Sequence, residues 1–206
     1  VERSRGLGDV YKRQLRAELL RNLCGFAHAL NARLRNEDER AAARPWLARA
    51  DAISPHNVCD GILREIGEHC SRLAAQQQIS EWRYNLLEQR LVGLTEVQAT
   101  CERIKGTPLP FPYTLLLHRT IYIFCLLLPF ALAEPLGWLA PLFTTIVGYT
   151  FFGLDAIGNE LEDPFGRDEN DLPTDAMVRT VERDVLAGLG EQQLPPALLP
   201  VGYVLS

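Results

Sequence analysis

The sequence predicts an all-α integral membrane protein, in which a transmembrane helical hairpin is joined to amphipathic cytosolic helices. Two observations support this fold class. Residues 111–157 are almost purely apolar, whereas residues 15–105 are rich in Arg, Glu and Gln. In the charged part the apolar residues recur every three or four positions, which is the spacing of one helix face.

Composition excludes several functional classes. The 206 residues carry 21 basic and 26 acidic side chains, so the chain lacks the positive excess of a nucleic-acid-binding protein. The five cysteines form no C-x-x-C pair, which argues against a zinc ribbon or a thioredoxin-like motif and favours reduced packing residues. No phosphate loop or Ser-His-Asp arrangement stands in a context that supports catalysis. We therefore expect neither an enzyme nor a resident cofactor.

Three helices are expected before the apolar segment. The first covers residues 15–34. A second starts near Ser54, a candidate N-cap, with Pro55 at the first helical position where no amide donor is needed. A third runs from the N-cap candidate Ser80 to about residue 104. Because these helices are amphipathic, we expect them to pack on each other or on a partner subunit.

The first fourteen residues are treated separately. They resemble translated sequencing adapter, and they contain neither the apolar run nor the cleavage site of a signal peptide. We expect an artefactual or disordered tail over residues 1–14, with the natural protein extending upstream.

The apolar segment predicts a membrane hairpin. Three prolines in alternate positions within residues 107–112 indicate a rigid, extended lead into the first span. Residues 113–133 and 138–157 are each long enough to cross a hydrocarbon core of about 30 Å, and residues 134–137 supply turn chemistry. Basic residues at Arg103, Lys105 and Arg119 predict that both hairpin ends are cytoplasmic.

An acidic turn follows the second span. It is broken by Pro164 and Gly166, and a final amphipathic helix is expected from Thr174 or Asp175 to Leu189, before an extended proline-rich tail. The predicted organisation is a cytosolic helical region (15–106), the proline turn with the hairpin (107–158), and the acidic turn with the last helix and tail (159–206).

Two motifs carry a family resemblance. The run Thr107-Pro108-Leu109-Pro110-Phe111-Pro112-Tyr113-Thr114 precedes the first span, and Glu162-Asp163-Pro164-Phe165-Gly166 with the acidic Asp168-Glu169-Asn170-Asp171 follows the second. In this order they resemble the bacterial bestrophins. The resemblance implies the pore-forming subunit of a homopentameric channel in the bacterial inner membrane, passing chloride or monovalent cations passively.

The resemblance also assigns residues. Leu109, flanked by Pro108 and Pro110, matches a hydrophobic constriction at the cytosolic end of the pore; the alternative is the apolar plug of a proline turn. Glu160, Asp163, Asp168 and Asp171 match a calcium-binding turn of animal members, but with more negative charge. We favour a calcium-free turn whose carboxylates cap the last helix, with a weak calcium site as the alternative.

Charges near the membrane give further candidates. His118 and Arg119 at the start of the first span, and Asp155 near the end of the second, are candidate vestibule charges. The expected partners are therefore further copies of the chain, the lipid bilayer and permeating ions. A different function remains open, namely a two-span membrane anchor that conducts nothing and whose cytosolic helices bind a partner protein.

Overall fold

The computed structural model describes residues 2–54, 56–107, 110–200 and 205. Every regular element within these residues is helical, which confirms the all-α prediction. Seven α-helices and two short 3₁₀ turns follow in the order α1 (Glu2–Leu34), α2 (Glu39–Ala43), a 3₁₀ turn (Ala50–Ala52), α3 (Val58–Ala75), α4 (Glu81–Gly106), α5 (Phe111–Leu136), a 3₁₀ turn (Gly137–Leu139), α6 (Ala140–Glu160) and α7 (Thr174–Leu189).

The helices form two compact units. One comprises the residues up to Ile104 together with those from Leu172 onward, and the other comprises Lys105–Asp171. In the first unit α1 packs on α2, α3 and α7. In the second unit α5 packs on α6 as a helical hairpin.

α1 is longer than the sequence predicts. It begins at Glu2, inside the segment for which we expected an artefactual or disordered tail. No proline interrupts residues 2–34, and extending a helix already nucleated adds one hydrogen bond for each residue fixed. The predicted span of residues 15–34 is thus the C-terminal part of one continuous helix.

The N-cap of α3 corrects one prediction. The helix starts at Val58, and its cap is Asn57, whose side-chain oxygen accepts the amide of Asp60 at 3.0 Å. The same oxygen accepts Gln98 Nε2 of α4 at 3.4 Å. Asn is as good a cap as Ser and here serves two helices, so the start at Ser54 was wrong. Pro55 lies outside the described residues.

Two other helix starts depend on side-chain caps. Ser80 Oγ accepts the amide of Arg83 at 3.3 Å, so the predicted cap of α4 is confirmed. The short α2 was missed, because its five residues are too few to show a period. Its signal was Asp38, whose carboxylate accepts the amides of Arg40 and Ala41.

The core of the first unit lies between α1, α2 and α3. Its buried members are small or aliphatic apart from one aromatic ring: Phe26, Ala29, Ala43, Leu47, Ile53, Val58, Cys59, Ile62, Ile66 and Cys70 are among them. None of the five cysteines is in a disulfide, and burial raises the pKa of the Cys24 and Cys59 thiols to about 12. These thiols therefore stay protonated and act as packing groups.

α7 is fastened to α1 by a polar cluster. Asp175, in the first turn of α7, accepts a hydrogen bond from Asn31 Nδ2 at 2.6 Å and pairs with the guanidinium of Arg35. The Arg35 side chain is 3% exposed, so removal of the carboxylate would leave a buried cation without its counter-charge. This cluster fixes the start of the last helix on the longest one.

His28 belongs to α1, and its ring lies between α7 and the turn after α2. Its ring stacks on Trp46 with centroids 5.4 Å apart, and its Nε2 is 4.0 Å from a Glu182 carboxylate oxygen. Burial lowers the pKa of His28 below its usual value, outweighing the attraction of Glu182 and Asp175, and Arg179 lowers it further. The folded protein therefore favours the neutral ring.

This lowered pKa predicts a loss of stability on acidification. As pH falls through about 6.5, the usual histidine value, the unfolded chain binds a proton that folded His28 does not, so the free energy of unfolding decreases. Thermal melts between pH 8 and pH 5 should show the decrease, and His28→Phe, which keeps a ring on Trp46, should reduce it. His56→Phe, at an exposed histidine, is the control; an unchanged pH profile in His28→Phe would contradict the assignment.

Candidate functional site

The helical hairpin of the second unit is the first part of the site. Phe111–Glu160 is a 50-residue segment that is long and apolar enough to cross a membrane, and only 6% of its most apolar window is buried. Most of its large side chains are exposed, including Phe130 at 76% and Tyr149 at 82%. A core hairpin of a soluble protein would bury these side chains, so their exposure favours a lipid or subunit environment.

Aromatic pairs hold α5 against α6. Tyr122 and Phe152 meet edge to face at a centroid distance of 5.3 Å, and Phe124 and Phe151 do the same at 5.3 Å. Gly148 of α6 faces Cys125 of α5, and a Cβ at its position would be in ordinary van der Waals contact, 4.0 Å from Cys125 Sγ.

The hairpin turn differs from the prediction. α5 continues through Pro129 and Pro135 to Leu136, and the chain reverses at Gly137, whose φ is +48°. Residues 134–136, expected to form the turn, belong instead to the last turn of α5. The chain reverses one residue later because glycine adopts a positive φ without strain. Both apolar runs are otherwise helical, as α5 and α6.

The structure brings His118 and Asp155 together. His118 Nε2 on α5 is 2.8 Å from Asp155 Oδ2 on α6, and the carboxylate side chain is 13% exposed. The neighbouring Arg119 is exposed and has no ion pair with a described residue. Two of the three predicted vestibule charges thus satisfy each other across the hairpin, where an unpaired carboxylate would be costly.

We expect the hairpin to weaken when this pair is broken. His118→Ala should lower stability by about 1–2 kcal/mol, the range for polar contacts between membrane helices. Unfolding by increasing sodium dodecyl sulfate in mixed micelles measures the change. Arg119→Ala, at the adjacent exposed position, should have little effect, and equal losses in both variants would argue against a role for the pair.

In the acidic turn, carboxylates accept hydrogen bonds from backbone amides of the same turn. Asp171 Oδ2 accepts the amide of Asp168 at 2.6 Å, and Asp163 Oδ1 accepts the amide of Phe165 at 3.3 Å. Gly166 is required under this arrangement, because a Cβ there would lie 2.4 Å from Asp171 Oδ2. Phe165 is buried and anchors the turn.

The four candidate calcium ligands are not gathered at one point. Glu160 is the last residue of α6, and its Oε1 accepts Asn170 Nδ2 at 2.8 Å. Among the residues that the structure describes, no three His, Cys, Asp or Glu side chains are close enough to hold a metal ion. Glu160, Asp163 and Asp171 instead accept hydrogen bonds from donors within the turn. The N-cap residue of α7 is Pro173 and no side chain caps this helix, so the expected capping role of the carboxylates was wrong.

The predicted pore constriction comprises Leu109 and the flanking Pro108 and Pro110. Pro108 and Leu109 are outside the described residues. Pro110 directly precedes α5 with extended angles of φ −58° and ψ 124°, and Pro112 stands in the first turn of the helix. Pro110 is thus extended as the sequence predicts, whereas Pro112, expected in the same extended lead, is helical, because proline is tolerated in the first turn of a helix.

Sequence reasoning missed the second face of α4. Its Tyr84, Leu91 and Leu94 pack on the core. A further stripe, Trp82, Leu86, Val97 and Ile104, is between 39% and 73% exposed. The sequence predicts a single apolar stripe for an amphipathic helix, but the apolar residues of α4 spread too widely around the helix to form one stripe.

An all-α membrane protein with an uncovered helical hairpin is the class that this fold and site define. The sequence model of the bacterial/fungal bestrophin family matches residues 4–187. The chain belongs to this family, which confirms the resemblance and the prediction that it is not an enzyme. The matched range includes most of the segment that resembles adapter.

Several relatives are closely similar. A voltage-dependent anion channel-forming protein of Mesorhizobium japonicum is 45% identical over 184 residues, covering 88% of this chain and 59% of the relative. The voltage-dependent anion channel-forming protein YneE of Escherichia coli is 38% identical, covering 89% of this chain and 61% of the relative. The chain thus spans about three fifths of the length of these curated relatives.

Solved structures agree with the fold. A crystal structure of a bacterial bestrophin homologue from Klebsiella pneumoniae aligns with a TM-score of 0.81 at 36% identity. The alignment covers 88% of this chain and 68% of the solved chain. The arrangement of helices described above is therefore that of a bacterial bestrophin.

Proposed function

We propose that the chain is part of a pore-forming subunit of a bestrophin-like channel that conducts ions passively. The observation that carries the proposal is the 45% identity to a protein named as a voltage-dependent anion channel-forming protein. That name favours chloride over monovalent cations. The hairpin supports the proposal, because its apolar surface is left uncovered by its own unit.

The proposed location is the bacterial inner membrane, with α5 and α6 as two of several spans. Arg103 and Lys105 precede α5, Arg119 lies in its first turns, and Glu134 is the ionisable residue nearest the hairpin's turn. This distribution of basic residues favours cytoplasmic placement of both hairpin ends. The His118–Asp155 pair would then lie towards the cytoplasmic side of the span.

We further propose that copies of the chain associate, as a homopentamer in the family's manner. At 3.6 residues per turn, Trp82, Leu86, Gly93, Val97 and Ile104 fall within roughly 60° of arc on α4. Gly93 and Val97 of this stripe line an apolar groove of about 760 Å³ between α1, α4 and α7, together with Met177 and Val181. An apolar surface of this extent is typical of a subunit interface.

Self-association should depend on the exposed stripe of α4. Val97→Glu places a charge in the stripe and is expected to shift the detergent-solubilised protein to smaller species, because an unpaired interfacial charge must be desolvated. Light scattering coupled to size-exclusion chromatography measures the mass. Val92→Glu is the matched control: Val92 is 56% exposed, against 51% for Val97, but lies off the stripe. Equal dissociation in both variants would contradict the assignment.

Leu109 is proposed as the cytosolic constriction. Prolines on both sides restrict the backbone, so the side chain would be held at a defined depth where a ring of leucines gates by dewetting. We propose that the acidic turn keeps its conformation without calcium, because Asp163 and Asp171 accept hydrogen bonds from the turn's own amides.

Conduction is tested in a chimaera. The matching region of the Mesorhizobium japonicum relative is replaced by this chain and reconstituted in planar bilayers under asymmetric NaCl. We expect currents whose reversal potential has the sign for chloride, and Leu109→Ala should change conductance severalfold by widening an apolar constriction.

Two outcomes would overturn these proposals. Leu116 is 65% exposed on α5, so Leu116→Ala is the control for loss of an exposed leucine outside the proline-flanked position. Equal effects of the two substitutions would reject Leu109 as the constriction. A folded, assembled chimaera without current would reject conduction and favour the membrane anchor.

A further inference from the structure

A polar cleft lies on the first unit. It has a volume of about 590 Å³, within the usual range for small-molecule sites. The turn at residues 49–54 forms one wall, and the outer face of α3 forms the other. We propose that this cleft binds a small zwitterionic phosphate ester, in which a phosphate and an ammonium group lie a few bonds apart.

The wall formed by residues 49–54 is held in place by contacts with α3 and α2. Gly61 on α3 allows the turn to approach, because a Cβ there would lie 2.5 Å from Ile53 Cγ2. Arg40 Nη2 of α2 donates to the Ile53 carbonyl oxygen at 2.5 Å and so holds the turn from the other side. The buried Nε of Arg40 has no hydrogen-bond partner. The wall is thus set by backbone and buried contacts.

Four arginines line the cleft, namely Arg40, Arg49, Arg64 and Arg72. Within the described part of the chain only Arg64 has a carboxylate within salt-bridge distance, Asp60 at 3.8 Å, and both side chains are more than half exposed. Arg72 Nε donates instead to a backbone carbonyl at 3.4 Å. Guanidinium groups without close counter-charges are suited to bidentate binding of phosphate.

Carboxylates line the same cleft. Asp51, Glu65 and Glu68 are lining residues, and none of them forms an ion pair with a described residue. Unpaired groups of both signs in one cleft disfavour a purely anionic ligand, because the carboxylates would repel it. A ligand with both a phosphate and an ammonium group satisfies the two sets together. Such chemistry occurs in free phosphoethanolamine and in the headgroup of phosphatidylethanolamine.

The whole chain in detergent micelles is titrated with phosphoethanolamine, with dioctanoyl phosphatidylethanolamine and with inorganic phosphate, by isothermal calorimetry. We expect either or both of the first two probes to bind more tightly than inorganic phosphate, and the tighter of them identifies the free or the lipid form as the source. Arg49→Gln and Arg64→Gln should each weaken that binding about tenfold, the effect of one lost charge-assisted contact.

Matched variants separate binding from folding and from bulk charge. Arg49 and Arg64 are exposed, so neither substitution disturbs the core. Arg83→Gln, at an exposed arginine of α4 outside the cleft, should leave binding unchanged. Glu68→Gln should weaken phosphoethanolamine binding but not phosphate binding. The proposal is overturned if neither zwitterion binds, if inorganic phosphate binds equally well, or if Arg49→Gln and Arg83→Gln have equal effects.

Discussion

The hairpin surface that its own unit leaves uncovered is the constraint on which the rest of the structure depends. In hydrocarbon every backbone and side-chain polar group must find a partner within the protein. The hydroxyls of Thr120, Thr145 and Thr150 each donate to the carbonyl four residues earlier, at 2.8 to 2.9 Å. His118 and Asp155 satisfy each other. These polar groups are therefore satisfied within the hairpin, whereas the buried Thr144 Oγ1 has no hydrogen-bond partner among the described residues.

The first unit uses a different principle, in which a few charged side chains join helices that share a modest core. Arg33 of α1 pairs with Glu39 of α2 and with Glu102 of α4, each at 2.7 Å. Glu39 also accepts the amide of Val58 at 3.2 Å, at the start of α3. These two residues thus connect four helices. Asp175 adds α7 to the same framework through α1.

Much of this fold could be predicted from the sequence, because its strongest signals are local. The two helices of the hairpin followed from uninterrupted apolar runs, and the Ser80 cap from its position before a periodic segment. The start of α3 failed because Ser54 and Asn57 are equally good caps in isolation, and only the contact from Gln98 distinguishes them. The predicted hairpin turn at residues 134–137 includes Gly137, where the chain reverses, but α5 extends to Leu136 because Pro135 is tolerated in its last turn.

The candidate site was less accessible to sequence reasoning. His118 and Asp155 were each recognised as unusual, but their pairing depends on the register of α5 against α6, which no local pattern encodes. The carboxylates of the acidic turn matched a ligand set by order alone. Their hydrogen bonds to the amides of Phe165 and Asp168 are a tertiary outcome of a tight turn.

The two apolar faces of α4 restrict how this helix can vary among related proteins. At 3.6 residues per turn, Arg83 and Arg90 share a narrow strip on one side between the faces, and Glu81, Glu88 and Glu96 occupy a broader strip on the other. Substitutions should accumulate in these strips, while both apolar faces stay hydrophobic. A surface helix with one buried face would instead vary over most of its circumference.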